Sequence, residues 1–458
     1  MGTLNTAMWI AAQALDVDQG AMDVTSNNIA NASTPGYSRE IVDLTEQTPV
    51  ESGNLTVGTG VSLQQIQSVR SQVLSLLIEQ QTTQQSGSQT QLNGLQQVEG
   101  LFSDPTQGIG ANLSAFFNSI SQLSTDPSNA AQRQSVITAA QNLVSSFNQA
   151  AQSLGTIQSS LNQSVSSTVN QINSLSQQIA QINGQVGQMQ QLGKDPGSLL
   201  DQENQLINQL SQLTNVNEIH TENGLTLTTG NGTALVVGNQ SFALQVGNGP
   251  TGMQDVFSQG QDITTSIQGG SLGGAIQVRD QDIPGVLTQL NTLASQFATS
   301  FNNAQAQGYD LNGNQGQALF SFNANGAAAS LSLATTDPSA IAASSDGTSG
   351  SNGNIANLMA VETNPLPSGA TPTGSYANIV SQSGNLASQA QAEVTSSTAS
   401  LNQLNDQLGA ISGVSINEET TNLLTYQTAF SAAARVVTTV DQMSQAVLDM
   451  GSGVTAVS

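Results

Sequence analysis

Both ends of this 458-residue chain carry apolar side chains every seven residues, and that periodicity constrains the fold more than any other feature. Near the start Met8, Leu15, Met22 and Ile29 recur at this spacing, with Leu4 and Ala11 on the adjoining ridge. Near the finish Ile416, Leu423, Phe430 and Val437 form one row. Tyr426, Ala433, Val440 and Val447 form a second, three residues later. Rows offset in this way are the a and d positions of a heptad, so each end reads as a helix with one narrow apolar stripe. Such a stripe buries too little surface to hold a lone helix. The two ends are therefore expected to pair as a coiled coil, with each other or with neighbouring copies, and to be mobile in an isolated monomer until partners cover them.

The interior repeats the theme at greater length. Leu161, Val165, Thr168, Ile172, Leu175, Ile179, Ile182, Val186 and Met189 alternate spacings of four and three, a coiled-coil-like helix with Gln, Ser and Asn on its flanks. Gly193-Lys194-Asp195-Pro196-Gly197 ends it, because proline lacks an amide donor and glycine frees the backbone. Another helix follows, with Leu199, Gln202, Leu206, Leu210 and Leu213 on one side. Shorter helical stretches precede at Val69–Leu101 and Leu113–Leu123, and others come later at Val286–Phe301 and Val394–Leu408, around a Gly/Ser/Asn-rich loop from Asn323 to Asn354.

From Val216 the period drops to two. Leu225-Thr226-Leu227, Leu235-Val236-Val237 and Phe242 to Val246 read as strands, separated by Asn223-Gly224, Asn231-Gly232 and Gly238-Asn239. Asn-Gly supplies the positive φ that tight hairpin turns need. The expected fold is mainly α with a small β insertion, in nested domains. Residues 1–65 with 412–458 form a terminal helical assembly domain, 66–215 with 269–411 a helical middle, and 216–268 an outward, separable antiparallel β unit.

Charge excludes several partners. Only 8% of residues are charged, against about 25% in an ordinary soluble domain, and the net charge is −24. The six bases, Arg39, Arg70, Arg133, Lys194, Arg279 and Arg435, never cluster. Nucleic acid and anionic membranes are bound through clustered Lys and Arg, so neither is an expected partner. Cysteine is absent, which removes disulfides, thiolate metal sites and thiol nucleophiles. No apolar run is long enough to span a bilayer, and no basic residue precedes Arg39. Export would therefore proceed without a cleaved signal peptide.

Candidate chemistry is sparse. His220 is the lone histidine and no Gly-x-Ser-x-Gly accompanies it, so a strand-edge side chain is the simpler reading. Asp310, Asn312 and Asn314 have the alternate spacing of calcium ligands, but Ser321 falls where the bidentate Glu belongs. Gly269, Gly270, Gly273 and Gly274 match no phosphate loop and read as a domain-junction hinge. Trp9 and Tyr426 fall on or beside the stripes as packing residues. No catalytic residue, metal or cofactor is expected.

One segment points further. Ser26-Asn27-Asn28-Ile29-Ala30-Asn31 precedes Thr34-Pro35-Gly36-Tyr37-Ser38-Arg39. The asparagines tolerate the left-handed conformation at a helix end, and Pro35-Gly36 fits the centre of a type II turn. This stretch resembles the N-terminal signature of the flagellar rod, hook and hook-associated axial proteins. Asn27, Asn28, Asn31, Pro35, Gly36 and Tyr37 carry the match. Ser412 to Glu419, Asn422-Leu423, Tyr426-Gln427 and Ala432 to Val436 are similar to the end of the hook-associated members. Leu200 to Leu206, Gly270 to Gly274 and Arg279-Asp280 also resemble that group, and a variable outer third domain common there is absent.

The resemblance implies a structural, non-enzymatic subunit at the junction of hook and filament. It implies a ring of identical copies, contact with the hook protein and with a second hook-associated junction protein, and type III export to the cell exterior. A cytosolic export chaperone would cover the C-terminal helix beforehand. A hook or distal rod subunit is the alternative, and would have a mainly β middle. A cell-wall hydrolase, the rival of another class, would need a catalytic carboxylate in a cleft.

Overall fold

The first heptad segment folds as α1 (Gly2–Asn31), and Thr34 to Tyr37 then turn the chain into extended backbone. In the computed structural model the described residues are 2–52, 55–104, 106–221 and 224–452; Asn223 of the earliest Asn-Gly pair lies outside them. A β hairpin follows: β1 (Glu40–Glu46), β2 (Val50–Ser52), β3 (Leu55–Val57) and β4 (Val61–Ser68). β1 pairs antiparallel with β4, with a register shift between Asp43 and Leu44, and β2 pairs with β3 at the tip. The hairpin lies along α1, so close that a Cβ at Gly20 would stand 2.8 Å from Leu63 Cδ1. The terminal region is thus not purely helical as expected. Cross-strand pairs such as Val42 with Ile66 and Leu44 with Leu63 put apolar side chains on one face and make it a sheet.

Four helices come next: α2 (Gln72–Phe102), α3 (Ile109–Leu123), α4 (Ala130–Gln191) and α5 (Gly197–Leu213). α4 has 62 residues, a rod of about 90 Å at 1.5 Å per residue. Asn129 caps it by accepting from the amides of Ala131 and Gln132. The β segment makes two antiparallel sheets. β5 (Val216–Thr221), β6 (Gly224–Thr229), β7 (Ala234–Val237) and β8 (Gln240–Ser241) pair in order. β9 (Gln245–Asn248), β10 (Gln254–Ser258) and β11 (Gln261–Asp262) form the second, with β10 central.

α6 (Gly270–Gln277) passes through a π turn at Val278–Asp282 into α7 (Ile283–Gln305). The loop region holds β12 (Phe320–Ser321), α8 (Ala327–Ser330) and β13 (Ser332–Leu333). α9 (Ile355–Thr363), α10 (Pro372–Ser412) and α11 (Ile416–Ser452) complete the chain. α10 returns antiparallel along α2, with Tyr376 beside Phe102 and Gln84 bonded to Glu393.

Two apolar cores result. The first joins α2, α3, the first half of α4, α7, α9 and α10. At its centre Phe116, Phe117, Phe297, Phe301 and Phe320 meet at centroid distances of 5.0 to 6.3 Å, each at most 1% exposed. Arg133 is buried beside it, where its Nε donates to Pro127 O at 2.6 Å and its Nη1 to Ile341 O at 2.8 Å.

The second core corrects two expectations. The inward row of α4, Val165, Val169, Ile172 and Ile179, is covered by strands, α5 and α6 rather than by a second heptad helix. Leu225, Leu227, Leu235, Val236, Leu244 and Val256 of the β segment are buried in that same cluster. The β segment therefore shares its core with the helices, which argues against the separable unit expected. A heptad reports which side of a helix is inside, but not what lies there.

Two smaller readings change as well, and the Asp310 loop keeps its polar reading. The glycines at 269–274 are packing positions, not a hinge: a Cβ at Gly274 would lie 2.3 Å from Gly87 O, and one at Gly270 2.3 Å from Leu213 C. Among the described residues Gln259 is the one non-glycine with positive φ, so the asparagines ending α1 are not left-handed. The Asp310 carboxylate is filled by its own loop, accepting from the amides of Asn312 and Asn314 at 2.8 Å.

Candidate functional site

α11 starts with Ser415 oriented toward the Glu418 amide, and with Glu418 and Glu419 in the first turn, where acids suit the positive end of a helix. It packs on α1 within the single chain. Leu423, Tyr426, Phe430, Ala433 and Val437 are half-buried in that seam, and Val440 is buried. From the other side Met8, Leu15, Met22 and Ile29 are half-buried, while Ala11, Val17, Ala21 and Val24 are buried where the hairpin and α11 both approach. Ile416 and Val447 do not join the seam; they are 55% and 37% exposed. Trp9, expected as packing, also faces solvent.

The asparagine motif is the clip that orders the end of α1. Asn28 is buried, and both ends of its amide are used. Its Nδ2 donates to Glu40 O at 2.8 Å, and its Oδ1 accepts from Tyr37 Oη at 2.8 Å and Glu40 N at 2.9 Å. Asn31 Nδ2 donates to Asn27 Oδ1 at 2.9 Å, and Asn27 Nδ2 lies 3.4 Å from Tyr37 Oη. Gly36, at φ +79°, takes the position of the Pro35-Gly36 turn that a side chain would strain. Burial, then the charges of Glu40, Asp201 and Glu419, raise the Tyr37 phenol, which stays a neutral donor. Burial likewise raises Glu40, against the hydrogen bond from Asn27.

Beyond the turn this clip is fastened to the body. Asp201 on α5 accepts four hydrogen bonds. Ser38 N gives one at 3.0 Å and Ser38 Oγ one at 2.8 Å, and Arg70 gives two, from Nη2 at 2.7 Å and Nε at 3.2 Å. Gln205 Nε2, one turn later on α5, donates to Pro35 O. Arg39 ties in the other terminus: its amide donates to Ser412 O at 2.9 Å, and its Nη1 stands 3.1 Å from Glu418 Oε1. Both chain ends and the body thus meet at Ser38, Arg39, Arg70 and Asp201. The sequence motif pointed to one half of this clamp. Asp201, an acid in a chain that has few, was the available signal for the other.

Asp201→Ala would leave Ser38 with two unpaired donors and Arg70 without its carboxylate. Loss of about 1–3 kcal/mol in urea unfolding is expected. An unchanged midpoint would show that the clamp contributes nothing to holding the terminal region.

The bases are otherwise engaged or scattered. Arg279, fully buried, grips Asp280 through two bonds of 2.7 Å and donates to Gln254 O. His220 is exposed on β5, its Nε2 3.3 Å from Glu218 Oε2, and no nucleophile accompanies it. Among the described residues no group of three or more His, Cys, Asp or Glu could hold a metal ion, and no helix is long and apolar enough to cross a membrane.

The chain is similar to several known proteins. Residues 95–320 match the family described as the flagellar hook-associated protein FlgK helical domain. Residues 8–37 match the flagella basal body rod protein family, and residues 409–450 the flagellar basal body rod FlgEFG protein C-terminal family. The flagellar hook-associated protein 1 of Bacillus subtilis is 29% identical over 97% of this chain and 98% of its own length. The protein of that name from Salmonella typhimurium is 27% identical over 70% of this chain and 62% of its own. The solved structure of the flagellar hook junction protein FlgK from Burkholderia pseudomallei superposes with a TM-score of 0.68 at 20% identity, over 74% of this chain and all of that one, a likeness of fold.

Proposed function

The chain belongs to the family of flagellar hook-associated proteins, and from that premise we propose that it is a structural subunit joining hook to filament, assembling through its terminal helices. One observation carries the mechanism. α11 pairs with α1 on one side, yet exposes Val436, Met443, Val447 and Met450 on another, at spacings of seven, four and three. Apolar side chains at helical spacing on an outer face are what neighbouring subunits would cover.

On this reading identical copies form a ring in which α1 and α11 face inward to their neighbours. The hook protein lies on one side and a second hook-associated junction protein on the other. A cytosolic chaperone covers α11 before export to the cell exterior. The clamp at Asp201 sets the angle between terminal helices and body, which every copy in a ring must share. The Bacillus relative aligns over nearly its whole length and the Salmonella one over 62%, which supports a short form without an outer domain. The helical-domain match from 95 to 320 favours this assignment over a hook or rod subunit.

A strain lacking the chain should complete its hooks and shed filament protein into the medium. Filaments that stay attached would overturn the proposal.

A further inference from the structure

Three glutamates from three elements converge beneath the hairpin: Glu79 on α2, Glu203 on α5 and Glu218 on β5. Glu79 is 2% exposed and Glu203 4%, and neither Glu79 oxygen has a hydrogen-bond donor. Oε1 of Glu203 and Oε1 of Glu218 lack one too, and the Glu79 and Glu218 carboxyls lie within hydrogen-bonding reach of each other. Glu203, Glu218 and His220 line a cleft of about 830 Å³, whose walls also carry Arg70 and Asp195.

The surrounding charges cannot neutralise this cluster. Arg70, the guanidinium nearest to it, is already bound to Asp201 and Gly197 O. His220 reaches the other oxygen of Glu218, and Asp195 adds a further acid to the wall of the same cleft. Burial, then the Glu218 charge, pushes the Glu79 carboxyl from 4.5 up to about 9. Burial and Glu218 push Glu203 up to about 7, with Arg70 pulling the other way. Buried carboxyls so placed stay together while they hold protons and repel once they lose them.

We propose that Glu79 and Glu203, packed against Glu218, form a proton-operated latch that controls how firmly the terminal helices are set on the body. When Glu79 and Glu203 hold their protons, α2, α5 and β5 pack closely. Asp201 lies two residues from Glu203 on α5, and Arg70 lies two residues before the start of α2. Separating α2 from α5 therefore pulls the clamp apart and lets the terminal region tilt. Because the folded carboxyl is raised, the stabilisation is complete below the ordinary value of 4.5 and is lost as the pH climbs toward 9.

The absence of cysteine makes the test direct. Gln19, exposed on α1, and Gln177, exposed on α4, are replaced by Cys and spin-labelled in the full chain. Pulsed electron resonance should give one narrow distance distribution at about pH 5 and a distribution about twofold wider at about pH 9, with helical content unchanged. Glu79→Gln should remain narrow throughout, and Glu203→Gln serves if that variant does not fold. A parent distribution that does not change with pH, or a Gln variant that widens as the parent does, overturns the latch.

Discussion

Removing residues 216–268 and bridging the gap with a short Gly/Ser link should unfold the distal half of the body. This segment buries Leu225, Leu227, Leu235, Val236, Leu244, Val256, Ile263 and Ile267 in one cluster with the second half of α4, α5 and α6. At roughly 1.5–3 kcal/mol per side chain, the loss matches or exceeds the whole stability of an ordinary domain, about 5–15 kcal/mol. Three asparagines on α4 add polar docking at intervals of about three turns. Asn162 Oδ1 accepts from Gln254 N at 2.7 Å. Asn173 exchanges two bonds of 2.8 Å with Leu244, and Asn183 two with Leu225. The deletion should lower helicity per residue and open α4 to protease between residues 160 and 190. A deletion protein with the parent's helicity and unfolding midpoint would mean that the strands are an appended module after all.

That outcome bears on what the amino-acid pattern could reveal. The row from Leu161 to Met189 marks the inner side of α4 correctly, with Val165, Ile172, Ile179 and Val186 all buried. A single helix has the same pattern whether a helix or a sheet covers it, so the partner was illegible. The docking asparagines looked like a solvated flank, because an amide that binds strand backbone is indistinguishable in sequence from one that binds water. At the clamp, the turn at Pro35-Gly36 and the motif around Asn28 are local, and local chemistry can be read. Their fastening to Asp201 spans 163 positions, and nothing in either segment names the other. The carboxyl latch was hidden for the same reason, since Glu79, Glu203 and Glu218 each look like an ordinary surface acid until the fold brings them together.

The other large effect is expected at Phe430, in the middle of the α1–α11 seam. Neither apolar core includes any residue of α11, and Val440 is its one buried apolar side chain among the described residues. Phe430→Asp should therefore leave the melting of the body within about 0.5 kcal/mol of the parent, as for a surface change. In a ring neighbours would cover the outer face of the α1–α11 pair, so the seam would lie inside the assembly, where an unpaired carboxylate costs several kcal/mol, about 2–5, in every subunit. Assembly should fail while the protein stays soluble and folded, and Phe430→Leu, which keeps the apolar volume, should still assemble. The same face would be covered by a chaperone before export, so cells alone would confuse lost export with lost assembly. Adding purified variants to preformed hooks removes that ambiguity. Phe430→Asp protein that joins hook ends as well as the parent would show that assembly does not depend on an intact α1–α11 pair.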